Sequence, residues 1–316
     1  MNEFDIIKKY FQSDTIKHPE TIHGSGDDCA IIETPSGFQT AISIDTMVEN
    51  IHFFSDTDPF DLGYKALAIN LSDLAACGAT PKWFTGALTL PHYNESWLHA
   101  FAKGLSTCAK EYQCQLIGGD LTHGPTLTIT IQVDGLLPKA QAILRSGAKA
   151  DDGIYVSGSL GLPSLALKHL QKKLQLDSND IAAATHALTH PTPMVKLGEA
   201  LRGIATSMID ISDGLMADLQ HILTASNVGA EIDLDTLPIA PPVLKSLSNK
   251  DSIVHALSGG DEYKLCFTAP KTKELDALKQ SFEITRVGTV IKNNEVILKN
   301  NTHGVTLEML SGYRHF

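Results

Sequence analysis

No apolar run in this sequence approaches the roughly 18 residues that a membrane helix needs. Basic residues are in deficit, with 25 Lys and Arg against 36 Asp and Glu and a net charge of -11 with His neutral. Bulk nucleic-acid binding, which needs a basic surface, is therefore not expected. Phosphate ligands are not excluded, because a divalent cation can bridge an acidic protein to an acidic ligand. Cysteine is scarce: Cys29, Cys77, Cys108, Cys114 and Cys266 are odd in number, scattered, and form no C-x-x-C pair. This argues for buried thiols in a reducing compartment and against a disulfide framework or a thiolate zinc site. Met1-Asn2-Glu3-Phe4-Asp5 has acids where a secretory leader has bases. A soluble cytoplasmic protein without membrane or nucleic-acid partners is expected.

The familiar catalytic signatures are missing as well. There is no G-x-x-x-x-G-K-[ST] phosphate loop, no G-x-G-x-x-G opening a helix, no G-x-S-x-G elbow and no H-E-x-x-H. The 316 residues, 43% hydrophobic and 19% charged, suit two ordinary globular domains.

Cys29 to Glu33 and Phe38 to Asp45 read as a hairpin around Thr34-Pro35-Ser36-Gly37. Asp58-Pro59 opens a helix running towards Ala76 and stopped by Gly78. Trp83 to Leu90 is strand-like, Glu95 to Tyr112 helical, and Gln115 to Ile117 a short strand. Leu127 to Leu137 alternates most clearly, with Leu127, Ile129, Ile131 and Val133 on one face and Thr128, Thr130 and Gln132 on the other. Ala148 to Gly153 reads as a domain junction. A strand at Ile154 to Ser157, a helix through Leu174 and a polar loop from Leu174 to Asp180 follow. Helices near Pro193 to Ala205 and Leu215 to Ala225 flank a strand at Ser207 to Ile211. The tail supplies strands at Tyr263 to Thr268, Ile284 to Val290, Val296 to Leu298 and Val305 to Met309. Without strict β-α-β alternation the expectation is two α+β domains and not one Rossmann sheet. Ser72-Asp73-Leu74 recurs as Ser212-Asp213-Gly214, and Gly118-Gly119-Asp120 as Gly259-Gly260-Asp261, at offsets of 140 and 141 residues. Two related halves would produce this; so would common turn chemistry.

What remains for chemistry is a set of aspartates. Asp27 and Asp28 follow Gly24-Ser25-Gly26; Asp45, Asp120 and Asp210 end apolar strands; Asp213 follows Asp210 closely; Asp73 sits inside an apolar helix. Singly, a strand-end Asp is turn and cap chemistry. Together, carboxylates converging at one sheet edge repel each other unless cations intervene, and a buried Asp73 would be paired or metal-bound. Magnesium fits, with hard oxygen ligands, few from the protein and the rest from water and phosphate. Gly118-Gly119 allows close backbone approach and positive φ. Ser212-Asp213 is placed to cap a helix whose N-terminus attracts phosphate. Arg145-Ser146-Gly147 brings an always-charged fork to the junction.

These strings resemble the thiamine-monophosphate kinase family of the aminoimidazole ribonucleotide synthetase superfamily. The likeness is carried by Gly26-Asp27-Asp28-Cys29-Ala30, Ser43-Ile44-Asp45-Thr46, His52-Phe53, Asn70 to Ala79, Leu116 to Asp120, Arg145 to Ala148, Asp210 to Leu215, Leu257 to Gly260 and Gly312 to Phe316. The resemblance implies ATP-dependent phosphorylation of thiamine monophosphate to thiamine diphosphate. It implies an N-terminal α+β domain, residues 1–138, that binds ATP and magnesium and whose sheet pairs in a homodimer, and a C-terminal α/β domain, residues 149–316. By position Asp28, Asp45, Asp73, Asp120, Asp210 and Asp213 take metal roles, with several Mg2+ ions. Gly119, Asp120, Arg145 and Ser212 fall on ATP-contact positions, and His52, Asp261 and Tyr313 on substrate-contact positions. Two departures stand out. Ile44 replaces a hydroxyl residue, leaving only a backbone carbonyl as a ligand there. Asp261-Glu262 inverts the usual order, so which carboxylate meets substrate stays open.

The attacking group would be a phosphate oxygen, already ionised near neutral pH, so no strong general base and no covalent phosphoenzyme are expected. Catalysis would reduce to in-line positioning and charge neutralisation. Alternatives are another ATP user of the superfamily and a magnesium-dependent nucleotide phosphohydrolase.

Overall fold

The computed structural model describes residues 3–12, 16–25, 28–310 and 312. The chain divides into two compact units, residues 1–74 with 79–140, and residues 75–78 with 141–316.

In the first unit α1 (Glu3–Tyr10), β1 (Thr21–His23) and β2 (Ile31–Ile32) precede β3 (Phe38–Val48). Then come α2 (Pro59–Ala76), β4 (Thr80–Leu90), α3 (Glu95–Glu111), β5 (Gln115–His123) and β6 (Thr128–Pro138). The long strands form a sheet in the order β3-β6-β4-β5, with β4 and β5 parallel and the other pairs antiparallel. Asp58 starts α2 as its sequence suggests, its carboxylate accepting the Phe60 amide at 2.8 Å, and Gly78 ends it at φ +71°. In α3, Leu98, Phe101, Ala102, Leu105, Cys108 and Ala109 are buried at helical spacing. The alternation in β6 holds: Leu127, Ile129, Ile131 and Val133 are all buried.

The expected hairpin between Cys29–Glu33 and Phe38–Asp45 does not form. Ile31–Ile32 pairs with Thr21–His23, while Phe38–Val48 pairs along its whole length with β6. The turn at Pro35–Phe38 exists, with Phe38 N–H on the Pro35 carbonyl at 3.1 Å, but the longer ladder takes the strand.

The second unit holds β7 (Gly153–Ser157), α4 (Leu162–Leu170), α5 (Ser178–Thr189), α6 (Val195–Ala200), β8 (Ser207–Asp210), α7 (Leu215–Ser226) and β9 (Gly229–Asp233). It continues with α8 (Pro241–Ser246), α9 (Asn249–Ser258), β10 (Leu265–Ala269), α10 (Lys273–Leu278), β11 (Ile284–Ile291) and β12 (Val296–Lys299). Its sheet runs β12-β9-β11-β7-β10-β8, antiparallel except for β12 with β9. Ile209, Leu215, Leu219, Ile222, Leu257 and Cys266 belong to one continuous buried core. α4 stops at Leu170 instead of reaching Leu174, and part of the expected polar loop starts α5, whose cap Asp177 accepts the Asn179 and Asp180 amides. The strand expected at Val305–Met309 is a 3-10 turn at Leu307–Met309.

The short recurrences sit in unlike settings. Ser72-Asp73 lies inside α2 and Ser212-Asp213 before α7, while Gly118-Gly119 lies inside β5 and Gly259-Gly260 after α9. The unlike settings count against two related halves, and shared turn chemistry does not join them either, since Ser72-Asp73 is helical and Gly118-Gly119 extended. Cys108, Cys114 and Cys266 are buried as expected, whereas Cys29 is exposed. Among the described residues no helix is long and apolar enough to cross a membrane.

Candidate functional site

In the first unit a cavity of about 490 Å³ opens beside β5. Asp28, Asp120, Gly118, Gly119 and Ser25 line its polar side, and Phe101, Leu105, Ile129 and Ile131 its apolar side. Asp120 does not end its strand. Leu121–His123 continue pairing with Leu88–Leu90, so Asp120 stands mid-strand opposite Ala87. The glycines before it are not there for positive φ. A Cβ on Gly119 would lie 2.3 Å from the Gly86 carbonyl oxygen, so close approach of two strands requires that glycine.

Asp45, in β3, is likewise mid-strand, opposite Ile131 of β6, because Thr46–Val48 extend the ladder. Displacement of water holds its carboxyl above the usual carboxylate range. The Val48 amide donates to His52 Nδ1 at 2.9 Å, which leaves the ring proton on Nε2. Ser43, two residues before Asp45 on the same side of the strand, donates its hydroxyl to Asp73 on α2 at 2.6 Å. Asp73 is half-buried, not deeply so. Thus Asp45, Asp73 and His52 gather about β3, and Asp28 and Asp120 about β5. These strands are the two edges of the sheet, three strand spacings or ~14 Å apart. The expected convergence at one edge does not occur within this unit. Among the described residues no three His, Cys, Asp or Glu side chains gather closely enough to hold a metal ion.

The second unit brings two loops together. Asp210, buried, ends β8 as expected and is followed by exposed Ser212 and half-buried Asp213. The Asp261 amide donates to the Ser212 carbonyl and the Tyr263 amide to the Ile211 carbonyl, each at 2.8 Å. Ser212 and Asp213 do not cap α7. The cap position is Gly214, and the amides of Ser212, Asp213 and Gly214 all donate to Asp218 Oδ2 at 3.0, 3.1 and 3.1 Å. Those amides are therefore committed to a protein carboxylate. Burial raises Asp218 to about 6 even though the three amides pull it down.

Sequence reasoning missed Asp218, although an Asp between Met216 and Leu219 on an apolar helix face was a legible signal. It also left Asp261 and Glu262 undivided. Glu262 is 2% exposed and its Oε1 accepts the Gly161 amide at 2.6 Å, while Asp261 is half-exposed beside Ser212. Arg145 is exposed; its loop is fixed by Ser226, whose hydroxyl accepts the Gly147 and Ala148 amides. Tyr313 lies outside the described residues, as do Gly26 and Asp27.

Two family models match. Residues 26–137 match the AIR synthase related protein N-terminal domain, and residues 149–299 the corresponding C-terminal domain. The thiamine-monophosphate kinase of Salmonella typhimurium is 46% identical over 270 residues, covering 85% of this chain and 83% of that protein. The crystal structure of thiamine-monophosphate kinase from Stenotrophomonas maltophilia superposes with a TM-score of 0.84 at 39% identity, covering 90% of this chain and 92% of that one. AaThiL complexed with AMPPCP and TMP superposes with a TM-score of 0.79 at 27% identity, covering 99% and 96%.

Proposed function

Because the chain belongs to the thiamine-monophosphate kinase family, we propose that it transfers the γ-phosphoryl group of ATP to the phosphate of thiamine monophosphate. The products are thiamine diphosphate and ADP. The observation that carries this reading is the glycine-backed cavity rimmed by Asp28 and Asp120, on a chain 46% identical to a named kinase of this kind.

An acceptor phosphate oxygen attacks the γ-phosphorus, and the bond to the bridging β,γ-oxygen breaks to release ADP. The acceptor is ionised near neutral pH, so the protein need not remove a proton and no covalent intermediate is involved. Gly119, Asp120, Arg145 and Ser212 bind the nucleotide. Gly119 brings strand backbone close, and Arg145, on a loop held by Ser226, offers a cationic fork to phosphate. His52 and Asp261 face the acceptor, with Tyr313 assigned there by resemblance. Asp261 is preferred to Glu262 because only Asp261 retains exposure.

Asp28, Asp45, Asp73, Asp120, Asp210 and Asp213 are assigned to magnesium. All six are hard oxygen donors, and sparse protein ligation suits an ion that keeps water and phosphate oxygens for most of its shell. When bound, magnesium neutralises the phosphate charge. Homodimer formation through the first unit's sheet belongs to the same reading. It is supported by Ile42 and Ile44 on edge strand β3, which are 63% and 59% exposed. A cytoplasmic setting, where ATP is supplied, completes it.

A coupled ADP assay over thiamine, thiamine monophosphate and aminoimidazole precursors tests the proposal. ADP formed only with thiamine monophosphate, together with thiamine diphosphate, is the expected result. Phosphate release without an acceptor would favour a phosphohydrolase, and turnover of an aminoimidazole precursor another enzyme of the superfamily.

A further inference from the structure

The turn that carries Asp261 is held in an unusual conformation. Asp261 and Tyr263 have φ +63° and +49°, in the left-handed region that non-glycine residues seldom occupy. Such a turn persists only where surrounding contacts over-determine it. Three contacts do so here. The Asp261 and Tyr263 amides bind the Ser212 and Ile211 carbonyls, and the Tyr263 hydroxyl donates to Asp261 Oδ1 at 3.2 Å. Between the two left-handed residues, Glu262 turns inward and accepts the Gly161 amide.

Gly161 is itself fixed. It opens α4 at φ +101°, and its carbonyl accepts from His255 Nε2 at 3.0 Å. That contact also settles how Ser164, 2.9 Å from the same Nε2, should be read. A carbonyl can only accept, so Nε2 carries the proton and the Ser164 oxygen is a second acceptor. Ser164 is therefore not an activated nucleophile. Burial pushes His255 down to about 4, and the ring stays neutral. Glu262 thus ends a chain running from α9 through His255 and Gly161 to the strained turn.

We propose that Glu262 is a positioning residue, which by accepting the Gly161 amide holds the Asp261–Tyr263 turn so that the Asp261 carboxylate faces the acceptor substrate. The inference rests on the kinase reading above. It divides the Asp261-Glu262 pair into one carboxylate for the ligand and one for the fold. Burial supports the division: it pushes Glu262 up to about 8 and the nearby Lys264 ammonium down, so near neutral pH Glu262 is a neutral acceptor. An amide of the same length can replace it. An aspartate, shorter by about 1.5 Å, cannot span the distance to Gly161.

The test is steady-state kinetics of the full chain with ATP and thiamine monophosphate, beside calorimetric binding of thiamine monophosphate and thermal melts. Glu262→Gln should keep the wild-type KM for thiamine monophosphate. Glu262→Ala and Glu262→Asp should each raise that KM and weaken thiamine monophosphate binding about tenfold, the size expected for one lost buried hydrogen bond, with the KM for ATP unchanged. If the Ala variant does not fold, the Asp variant decides. Impairment of Gln equal to that of Asp would overturn the proposal, because the carboxyl itself would then act. Lowered melting temperatures with both KM values unmoved would also overturn it, leaving Glu262 a purely structural residue. A wild-type protein that does not phosphorylate thiamine monophosphate would instead sink the kinase reading.

Discussion

Asp218 offers the sharpest physical test of the second unit. It is 3% exposed and accepts three consecutive amides. Asp218→Ala strands those amides. Ser212 is exposed and Asp213 half-buried, so the Gly214 amide is the one left fully buried, at a cost of about 1–3 kcal/mol. Asp218→Asn keeps an acceptor oxygen and removes the charge. The carboxyl rises from 3.8 to about 6 because displacement of water outweighs the amides, which corresponds to about 3 kcal/mol against the ionised form. The folded value lies above the unfolded one, so the favourable contribution is complete below pH ~4 and lost as the pH rises through ~6. Urea denaturation of wild type and both variants from pH 4.5 to 7 reads this out. The stability of Asn relative to wild type should climb by about 2 kcal/mol across that window, while Ala stays below Asn throughout. A wild-type-to-Asn difference that does not change with pH would refute the reasoning, as would Asn being as damaged as Ala.

The sequence made local features legible and left non-local ones hidden. The start of α2 was readable because Asp58 and Pro59 act within one turn, and the faces of β6 were readable because period two is a property of the strand alone. The hairpin at residues 29–45 was misread because its turn chemistry is real but partner choice depends on β6, some 90 residues on. Asp45 and Asp120 looked like strand ends because the apolar run stops there. The ladders continue through polar residues, joined by the hydroxyl pairs Thr46–Thr130 and Thr89–Thr122. The start of α5 is hidden in the sequence because its cap, Asp177, is as polar as the loop before it. At the candidate site the residue types were legible but their neighbours were not. Nothing in the string Asp261-Glu262 says which side chain turns inward; that follows from Gly161, about 100 residues away.

Three further outcomes are expected. Asp120→Asn and Asp73→Asn should each reduce kinase turnover at least ~100-fold while remaining folded, the scale of one lost preorganised contact in phosphoryl transfer; near-normal rates of both at saturating magnesium would remove them from the site. Activity should keep rising when magnesium exceeds ATP, whereas saturation at one metal per nucleotide would contradict a multi-ion site. The adjacent glycines of β5 separate close approach from backbone freedom. Neither has positive φ. Among the described residues a Cβ on Gly118 would meet only the Thr85 methyl at 3.5 Å, an ordinary contact, whereas on Gly119 it would meet backbone of the neighbouring strand at 2.3 Å. Gly118→Ala should therefore shift stability by no more than about 0.5 kcal/mol. Gly119→Ala should cost about 1–3 kcal/mol by forcing β5 off β4. Because Asp120 follows directly, the same displacement should lower turnover in Gly119→Ala even at temperatures where it is fully folded. Equal stability of the two variants would mean that the β4–β5 spacing is not what requires glycine there, and would detach Gly119 from the placing of Asp120.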